Sequence, residues 1–295
     1  MNAPVNGFDP HWLRSRETFD LAARDERLAT RFAAALADAG APLRIMDLAA
    51  GSGANFRALA PRLPGDQDWL LVDHDPRLLA AQREDIAAWA ENQGWRIAVG
   101  DEGLLVDSGA AVWRVRGYRL DLACHLEALD LGKVDALVTT AFLDLVSADW
   151  LERLCRLLAQ HPLPLLATLS VDGRRQWHPP HPADARVLAA FHRHQGGDKG
   201  FGPSLGNTAS SWLAARLAAL GYQVGEAASN WQIGPEQPAM LQHMLEEAVD
   251  VARESTPEER ALVGEWQRQR TAQLGCRLLS LEIGHRDLLA LPPGR

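Results

Sequence analysis

The sequence Asp47-Leu-Ala-Ala-Gly51-Ser-Gly53-Ala-Asn55 gives the clearest indication of the fold. A short apolar run over 43–48 leads into it, and a segment of helical composition over 55–63 follows it. Glycine lets a ligand approach the backbone closely, and the amides of a helix N-terminus lie next to such a turn. The order strand, glycine turn, helix is therefore typical of a nucleotide-binding α/β sheet.

The turn departs from the dinucleotide-binding fingerprint at one position. That G-x-G-x-x-G pattern needs a third glycine for close packing of the helix on the strand, and Phe56 stands in its place. A bulky residue there favours a nucleoside site over a dinucleotide site. An NAD-dependent oxidoreductase is kept as an alternative.

Strands and helices alternate along the rest of the chain. Apolar runs predict strands over 43–48, 69–72, 95–99, 111–118, 134–140, 163–170, 222–229 and 276–283. Helical spacing and caps predict helices over 14–39, 55–63, 75–92, 147–158, 208–220, 238–253 and 257–274. This alternation predicts a doubly wound, Rossmann-like α/β fold with a mostly parallel seven-stranded sheet and helical insertions. We expect an N-terminal helical cap over 1–40 and a main domain over 41–295, with insertions at about 172–203 and 233–275.

Composition excludes several classes of protein. Of the 295 residues 47% are hydrophobic and 23% are charged, which is typical of a globular chain and excludes a disordered or fibrous one. No apolar run approaches the roughly 20 residues of a membrane helix, and the first ten residues lack the features of a secretory signal, so we expect a cytoplasmic protein. The three cysteines are far apart, which argues against disulfides and structural zinc; we expect no metal.

The charge balance bears on partners. The net charge is −8, and the chain contains two lysines, Lys133 and Lys199. Because nucleic-acid binding usually needs a basic patch that displaces counterions, the sequence makes a nucleic-acid partner unlikely. The sequence leaves the oligomeric state open.

Two further acidic residues follow predicted strands. Asp73, twenty residues after Gly53, ends the second strand and can accept hydrogen bonds from both ribose hydroxyls. Asp121 can accept from an adenine amino group while Leu122 packs on the ring. Together with the glycine turn, these residues describe a site for an adenosine without phosphates.

This series resembles the class I S-adenosylmethionine-dependent methyltransferases. Their first motif, an acidic residue and a glycine-rich turn, is matched by Asp47, Gly51 and Gly53, while Ala49 replaces a glycine often seen there. The resemblance covers about residues 40–170, and 204–232 with 276–290 by topology only. It implies S-adenosylmethionine as cofactor, bound by Asp47, Ala49, Gly51, Gly53, Asn55, Asp73, His74, Asp121, Leu122, Thr140 and Ala141.

The resemblance implies methyl transfer to a small-molecule acceptor, whose pocket the two insertions shape. A macromolecular acceptor is disfavoured, because lysine is scarce and Thr140-Ala-Phe-Leu143 replaces the Asn/Asp-Pro-Pro-aromatic motif of many nucleic-acid methylating enzymes. A non-catalytic S-adenosylmethionine-binding module is another alternative. It would keep the fold but have a blocked pocket.

Several residues are candidates for the acceptor side. Asp144 is a candidate general base because its apolar neighbours favour a raised pKa, although it can equally cap a turn. His192 and His194 can supply a base or lie in a solvated loop, and their spacing matches no metal motif.

Positively charged residues near the site suit anionic groups. Arg14 and Arg16 can pair with the methionine carboxylate or lie on a solvated helix face. Lys199 and Phe201 lie in the glycine-rich segment 198–202, which can contact an anionic acceptor or form a surface turn.

Overall fold

The computed structural model describes residues 8–100 and 103–294. The helices in these ranges are α1 Pro10–Ala23, α2 Glu26–Ala35, α3 Ala54–Leu59, α4 Pro76–Asn92, α5 Leu122–His125, α6 Ala148–Gln160, α7 Asp184–Gln195, α8 Ala209–Ala219, α9 Pro238–Ser255 and α10 Arg260–Gly275. The strands are β1 Leu43–Leu48, β2 Gln67–Asp73, β3 Arg96–Gly100, β4 Gly103–Asp107, β5 Val112–Arg119, β6 Ala136–Thr140, β7 Leu165–His178, β8 Gln223–Ala228, β9 Trp231–Ile233 and β10 Ser280–Leu291.

The strands form one mixed sheet in the order β3-β4-β5-β2-β1-β6-β7-β10-β8, with β9 paired to β10. Strands β5, β2, β1, β6 and β7 run parallel, and β10 is antiparallel to β7 and β8. The chain leaves β1 for β2 on one side and reaches β6 on the other. Ligands of such sheets bind at this switch point, outside the carboxyl ends of the strands.

The predicted fold class is confirmed, although the described residues form a ten-stranded sheet where a seven-stranded one was predicted. Eight of the ten strands overlap predicted strand segments, and β4 and β9 are the two without a predicted counterpart. No strand was predicted between 99 and 111, but Leu104 and Val106 alternate toward the core there and form β4 against β5. Gly100, Gly103 and Gly109 flank this short strand, and glycines at such spacing are more typical of a turn.

Helices cover both faces of the sheet. One face buries the apolar side of α6, including Trp150, Leu151 and Leu154, together with α8. The other face packs α2, α3 and α4, including Leu28, Phe32 and Ile86. Burial on both faces explains the nearly continuous apolar runs of the central strands.

The expected single helix over 14–39 is wrong. The chain forms α1 and α2, which are separated by a turn at Arg24 and Asp25. The Asp25 side chain accepts from the backbone N–H of Leu28 and starts α2, while its own N–H donates to Asp287 in β10. Helical spacing alone could not reveal this break, because its cause is a contact more than 260 residues away.

Two boundaries near the insertions also differ from the predictions. The polar stretch expected to be an insertion from 172 begins as strand, because β7 continues to His178 and pairs with β10 from Ser280. The last strand starts at Ser280 instead of 276, since α10 extends to Gly275. The projecting ends of β7 and β10 carry α7, α9 and α10, which share a separate apolar cluster; we call this unit the insertion subdomain.

Candidate functional site

The glycine turn after β1 has the backbone that its composition predicts. Gly51 and Gly53 have φ of 55° and 79°, in the left-handed region that glycine adopts at little cost. Ala49 has φ of 54°, a conformation that strains an L residue by about 1–2 kcal/mol. A glycine often occupies this position in the family that the sequence resembles, and the strain gives the physical reason.

Asp73 ties the end of β2 to this turn. Its Oδ2 accepts from the Gly51 N–H at 2.9 Å, and its Oδ1 accepts from the Asp75 N–H at 3.0 Å. The residue is 6% exposed, and burial raises the pKa of its carboxyl. A carboxylate oxygen has two lone pairs, so each oxygen keeps one for a further donor. Two neighbouring hydroxyl groups match that capacity.

A cavity of about 430 Å³ opens at the carboxyl edge of the sheet. The glycine turn, the end of β2, the segment after β6, helix α1 and the loop 198–201 all line it. Ten of the residues that the sequence predicts for the site are among its lining: Arg16, Ala49, Gly51, Asp73, His74, Leu122, Thr140, Ala141, Lys199 and Phe201. Residues far apart in the chain are thus brought to one space.

Three predicted residues lie beneath the turn instead of in the cavity. Asp47 is fully buried, and its Oδ1 accepts from Asn55 Nδ2 at 3.0 Å. Its Oδ2 has no partner among the described residues, and burial raises its pKa to about 7. Gly53 packs against Ile86, where a Cβ would come within 3.1 Å. These residues support the turn from behind.

The structure does not bring Asp121 and Arg14 to the cavity. Asp121 caps the short helix α5 by accepting from the Ala123 N–H at 2.9 Å. Arg14 points to the other side of α1, where its Nε donates to Asp85 of α4 at 2.7 Å. Both bonds are at the surface, so the adenine and carboxylate contacts proposed for these residues remain predictions without support from this geometry.

The predicted bases also lie outside the described lining of the cavity. Asp144 is 3% exposed, and burial raises its pKa, as its apolar neighbours predict. His192 Nε2 lies 2.8 Å from the carbonyl oxygen of Gly173, and His194 Nε2 lies 3.9 Å from Glu254. The apolar neighbours of Asp144 indicated burial, and the histidines at 192 and 194 belong to helix α7 of the insertion. Local sequence does not distinguish such positions from reactive ones.

Helix α1 closes one side of the cavity. Arg16 and Asp20 form a bidentate ion pair at 2.9 and 3.0 Å, and they are only 3% and 7% exposed. Asp20 also accepts from Trp231 Nε1 at 3.0 Å. Glu17, the next residue of α1, pairs with Arg57 of α3. The cavity therefore presents a buried positive and a buried negative charge side by side.

The loop 198–202 faces α1 across the cavity and is tightly folded. Asp198 Oδ1 accepts from the N–H groups of Gly200 and Gly202 at 2.7 and 2.9 Å. The Phe201 ring lies 5.3 Å from that of Phe142, edge to face. Lys199 Nζ donates to the His194 carbonyl at 3.2 Å, and burial lowers its pKa. The fold of the loop thus holds Lys199 at the cavity wall.

Arg24 is a structural residue of the site that the sequence did not indicate. Its Nη1 donates to Asn55 Oδ1 and to Thr168 Oγ1, both at 2.9 Å, and its Nη2 donates to Thr140 Oγ1 at 3.2 Å. The guanidinium thereby links α3 to the carboxyl ends of β6 and β7. Nothing local distinguishes it from the many other arginines, because its role depends on the turn between α1 and α2.

In ranges 8–100 and 103–294, no group of three or more His, Cys, Asp or Glu is placed to hold a metal ion. No helix in those ranges is long and apolar enough to cross a membrane.

No protein-family model and no curated protein matches the chain. Solved structures of similar fold include an S-adenosylmethionine-dependent methyltransferase from Geobacter sulfurreducens in complex with S-adenosyl-L-homocysteine (14% identity over 94% of this chain and 98% of that one, TM-score 0.42). A second, from Thiobacillus denitrificans with the same ligand, is 16% identical over 96% and 98% (TM-score 0.41). Phosphoethanolamine N-methyltransferase 2 from Haemonchus contortus is 10% identical over 97% of this chain and 58% of its own (TM-score 0.45). At these values, the function has to be inferred from the chain's own site.

Proposed function

We propose that the protein is an S-adenosylmethionine-dependent methyltransferase (EC 2.1.1.-) that acts on a small-molecule acceptor. The observation that carries the proposal is Asp73, a buried carboxylate that fixes the glycine turn and keeps one acceptor position free on each oxygen. It lies at the wall of a 430 Å³ cavity, a size typical of sites for small ligands. A ribose with two hydroxyl groups fits these acceptors.

The remaining wall fits the other parts of the cofactor. Leu122 offers an apolar surface for the adenine ring, and Thr140 and Ala141 line the side toward β6. Arg16 and Asp20 offer a positive and a negative charge, which complement the zwitterionic amino-acid part. When bound, S-adenosylmethionine supplies a methyl group on a positively charged sulfur.

The protein's task in this reaction is mainly to position two reactants. The sulfur leaves as a neutral thioether, so the leaving group needs no acid. Holding reactants in line can supply about 7–11 kcal/mol of the barrier. Helix α1 and loop 198–201 both line the cavity and add fixed walls against which the two reactants can be held. Asp144, His192 and His194 are not among the described residues that line the cavity. The proposed mechanism therefore relies on positioning the two reactants and assigns no residue as general base.

The geometry disfavours an NAD-dependent oxidoreductase. Phe56 is fully buried, and its ring contacts Trp69, Trp89 and Trp113 edge to face at 5.3, 5.6 and 6.1 Å. The third glycine of the dinucleotide fingerprint is therefore replaced by the centre of an aromatic cluster. A glycine at this position would leave a large gap in the aromatic cluster, so the core of this protein requires a bulky residue there.

Calorimetric titration with S-adenosylmethionine, S-adenosylhomocysteine and NAD tests the cofactor class. We expect the first two to bind and NAD not to bind. Binding of NAD alone would overturn the proposal in favour of an oxidoreductase. Binding of S-adenosylmethionine with no turnover of any acceptor would favour a non-catalytic module.

The Asp73→Ala variant tests the ribose contact. Each hydrogen bond to a charged group is worth about 1.5–3 kcal/mol, so we expect at least a tenfold loss of S-adenosylhomocysteine affinity. Because the variant also releases the Gly51 and Asp75 amides, a second ligand is needed as a control. The 2′,3′-dideoxy analogue should bind wild type and variant equally weakly. Equal loss of both ligands would show that Asp73 acts only through the turn.

A further inference from the structure

The loop that faces α1 brings a positive charge and an aromatic ring to the same cavity. Lys199 and Phe201 both line it. The turn around them is fixed by the Asp198 side chain, which accepts from two N–H groups of the loop at 2.7 and 2.9 Å. The ammonium group and the ring therefore reach the cavity as one unit.

Lys199 differs from the other of the chain's two lysines in its ionic partners. Lys133 is exposed and pairs with Asp130 at 2.7 Å. Lys199 is half-buried and makes no ion pair within the described part of the chain; its Nζ donates to the carbonyl oxygen of His194 at 3.2 Å. An ammonium group has three donors, so two of them remain for a ligand or water.

Partial burial makes the Lys199 charge costly unless an anion accompanies it. Burial lowers the pKa of Lys199, because the ammonium group loses part of its hydration, and the carboxylate of Glu254 acts in the opposite direction. The Glu254 side chain is 72% exposed, so solvent screens its charge. A bound anion would replace the lost hydration with a charge-assisted hydrogen bond.

The arginine and the carboxylates of the cavity already have partners. Arg16 pairs with Asp20. Asp73 and Asp198 each accept from two backbone N–H groups, which compensate part of their negative charge. In the described part of the cavity wall, Lys199 is thus the cation that can bind an anion without giving up an ion pair.

Aromatic rings form the surface that accompanies this charge. The rings of Phe142 and Phe201 lie 5.3 Å apart, edge to face, and the buried Trp150 packs against them at 5.2 and 5.9 Å. Phe142 follows directly after Ala141, which we assign to the cofactor, so the aromatic surface adjoins the cofactor site. Further apolar lining residues are Phe8, Leu13 and Leu145.

This combination selects the kind of acceptor. Aromatic rings pair favourably with further rings, edge to face or offset. One ammonium group compensates one negative charge, and a dianion such as a phosphate ester would keep a second, uncompensated charge beside Asp198. A carboxylate has a single charge and enough lone pairs to accept both remaining donors of Lys199.

We propose that the acceptor is a small aromatic carboxylic acid, whose carboxylate binds Lys199 and whose ring lies against Phe142 and Phe201. This inference rests on the proposed methyltransferase function and adds the substrate class. Lys199 and Phe201 determine specificity in it, one for the charge and the other for the ring.

Calorimetric titration of the full chain saturated with S-adenosylhomocysteine tests the substrate class. The probes are benzoate, 3-phenylpropanoate and naphthalene-2-carboxylate, each compared with its own primary amide, and acetate as a carboxylate without a ring. We expect at least one aromatic carboxylate to bind at least tenfold more tightly than both its amide and acetate. If none binds, or if none exceeds its amide and acetate, the inference is wrong.

Variants of the two lysines locate the charge contact. Lys199→Met should reduce the affinity for that carboxylate at least tenfold, to the level of the amide, and leave S-adenosylhomocysteine affinity unchanged. Lys199→Arg keeps the charge and should retain most of the preference for the carboxylate. The matched control is Lys133→Met, the same change at the exposed lysine, which should bind every probe like wild type.

Phe201→Ala tests the ring contact and keeps the charge. It should weaken the carboxylate and its amide by a similar factor, because both share the ring, and leave the preference between them intact. Unchanged affinity for both probes would contradict the inference. This variant retains Lys199, so it keeps the test valid if Lys199→Met does not fold.

The remaining outcomes separate the two proposals. Equal carboxylate affinity in wild type and Lys199→Met would place the anion elsewhere and overturn the inference. A loss of S-adenosylhomocysteine affinity in Lys199→Met would show that this lysine binds the carboxylate of the cofactor, which also overturns it. Failure of the wild type to bind S-adenosylhomocysteine would overturn the proposed function instead.

Discussion

Asp47 stands at the end of β1, and its burial makes the stability of the protein depend on pH. The side chain is fully buried beneath the glycine turn, and burial raises its pKa from 3.8 to about 7, although the Asn55 amide and the Arg24 guanidinium act in the opposite direction. In the unfolded chain the same carboxyl ionises near its ordinary pKa. We predict that Asp47→Asn stabilises the protein at pH 8 and has little effect at pH 4.

The sign follows from proton binding. Between about pH 4 and pH 7 the folded protein keeps the Asp47 proton that the unfolded chain loses, so stability falls as pH rises. Raising this pKa from 3.8 to about 7 destabilises the folded protein by about 4 kcal/mol, an effect that is complete above pH 7 and absent below pH 4. Asparagine has the same shape without the charge and can still accept from Asn55. About 2–3 kcal/mol of the difference should appear between pH 5 and pH 8.

Urea denaturation of wild type and Asp47→Asn at pH 5 and pH 8, without cofactor, measures this difference. The control is Asp250→Asn, which makes the same change at an exposed position of α9. Its effect on the free energy of unfolding should be small and similar at both pH values. An Asp47→Asn effect that is the same at pH 5 and pH 8 would refute the reasoning, because it would show that the folded protein ionises Asp47 like the unfolded chain.

Two other predictions concern the frame of the site. Arg24→Met should weaken S-adenosylhomocysteine binding about tenfold in calorimetry, since its guanidinium holds Asn55 and Thr140. Arg62→Met, which loses an exposed pair with Glu26 at 2.6 Å, should bind like wild type, and an equal loss in both variants would contradict the role of Arg24. Ala49→Gly should raise the free energy of unfolding by up to about 1 kcal/mol, because relief of left-handed strain exceeds the added entropy of the unfolded chain. A lowered urea midpoint would show that Ala49 is not strained.

Some residues of the site could be predicted from the sequence because they are marked by their immediate neighbours in the chain. Gly51 and Asp73 are marked by a glycine turn and by the end of an apolar run, and both line the cavity. Asp75 caps α4 and Pro76 opens it, as the sequence indicates. Short-range preferences of this kind depend on side-chain shape and backbone freedom, which the residue type alone fixes.

Residues that act across the fold could not be predicted in the same way. Asp144 has the apolar neighbours expected of a perturbed base, yet those neighbours bury it away from the cavity. Arg24 and Trp231 look ordinary in sequence, and their roles follow from partners more than 100 residues away. A buried charge is decided by which distant groups surround it, and the periodicity of a helix does not encode that.

The order of strands and helices, the doubly wound sheet and the glycine turn could all be predicted from the sequence, since hydrophobic periodicity and turn chemistry act over a few residues. The position of α1 at the cavity, the break between α1 and α2 at Arg24, and the pairing of Arg175 with Glu247 depend on the tertiary structure. The physical reason is that ion pairs and buried hydrogen bonds form between elements distant in sequence, and they exist only after the sheet has brought those elements together.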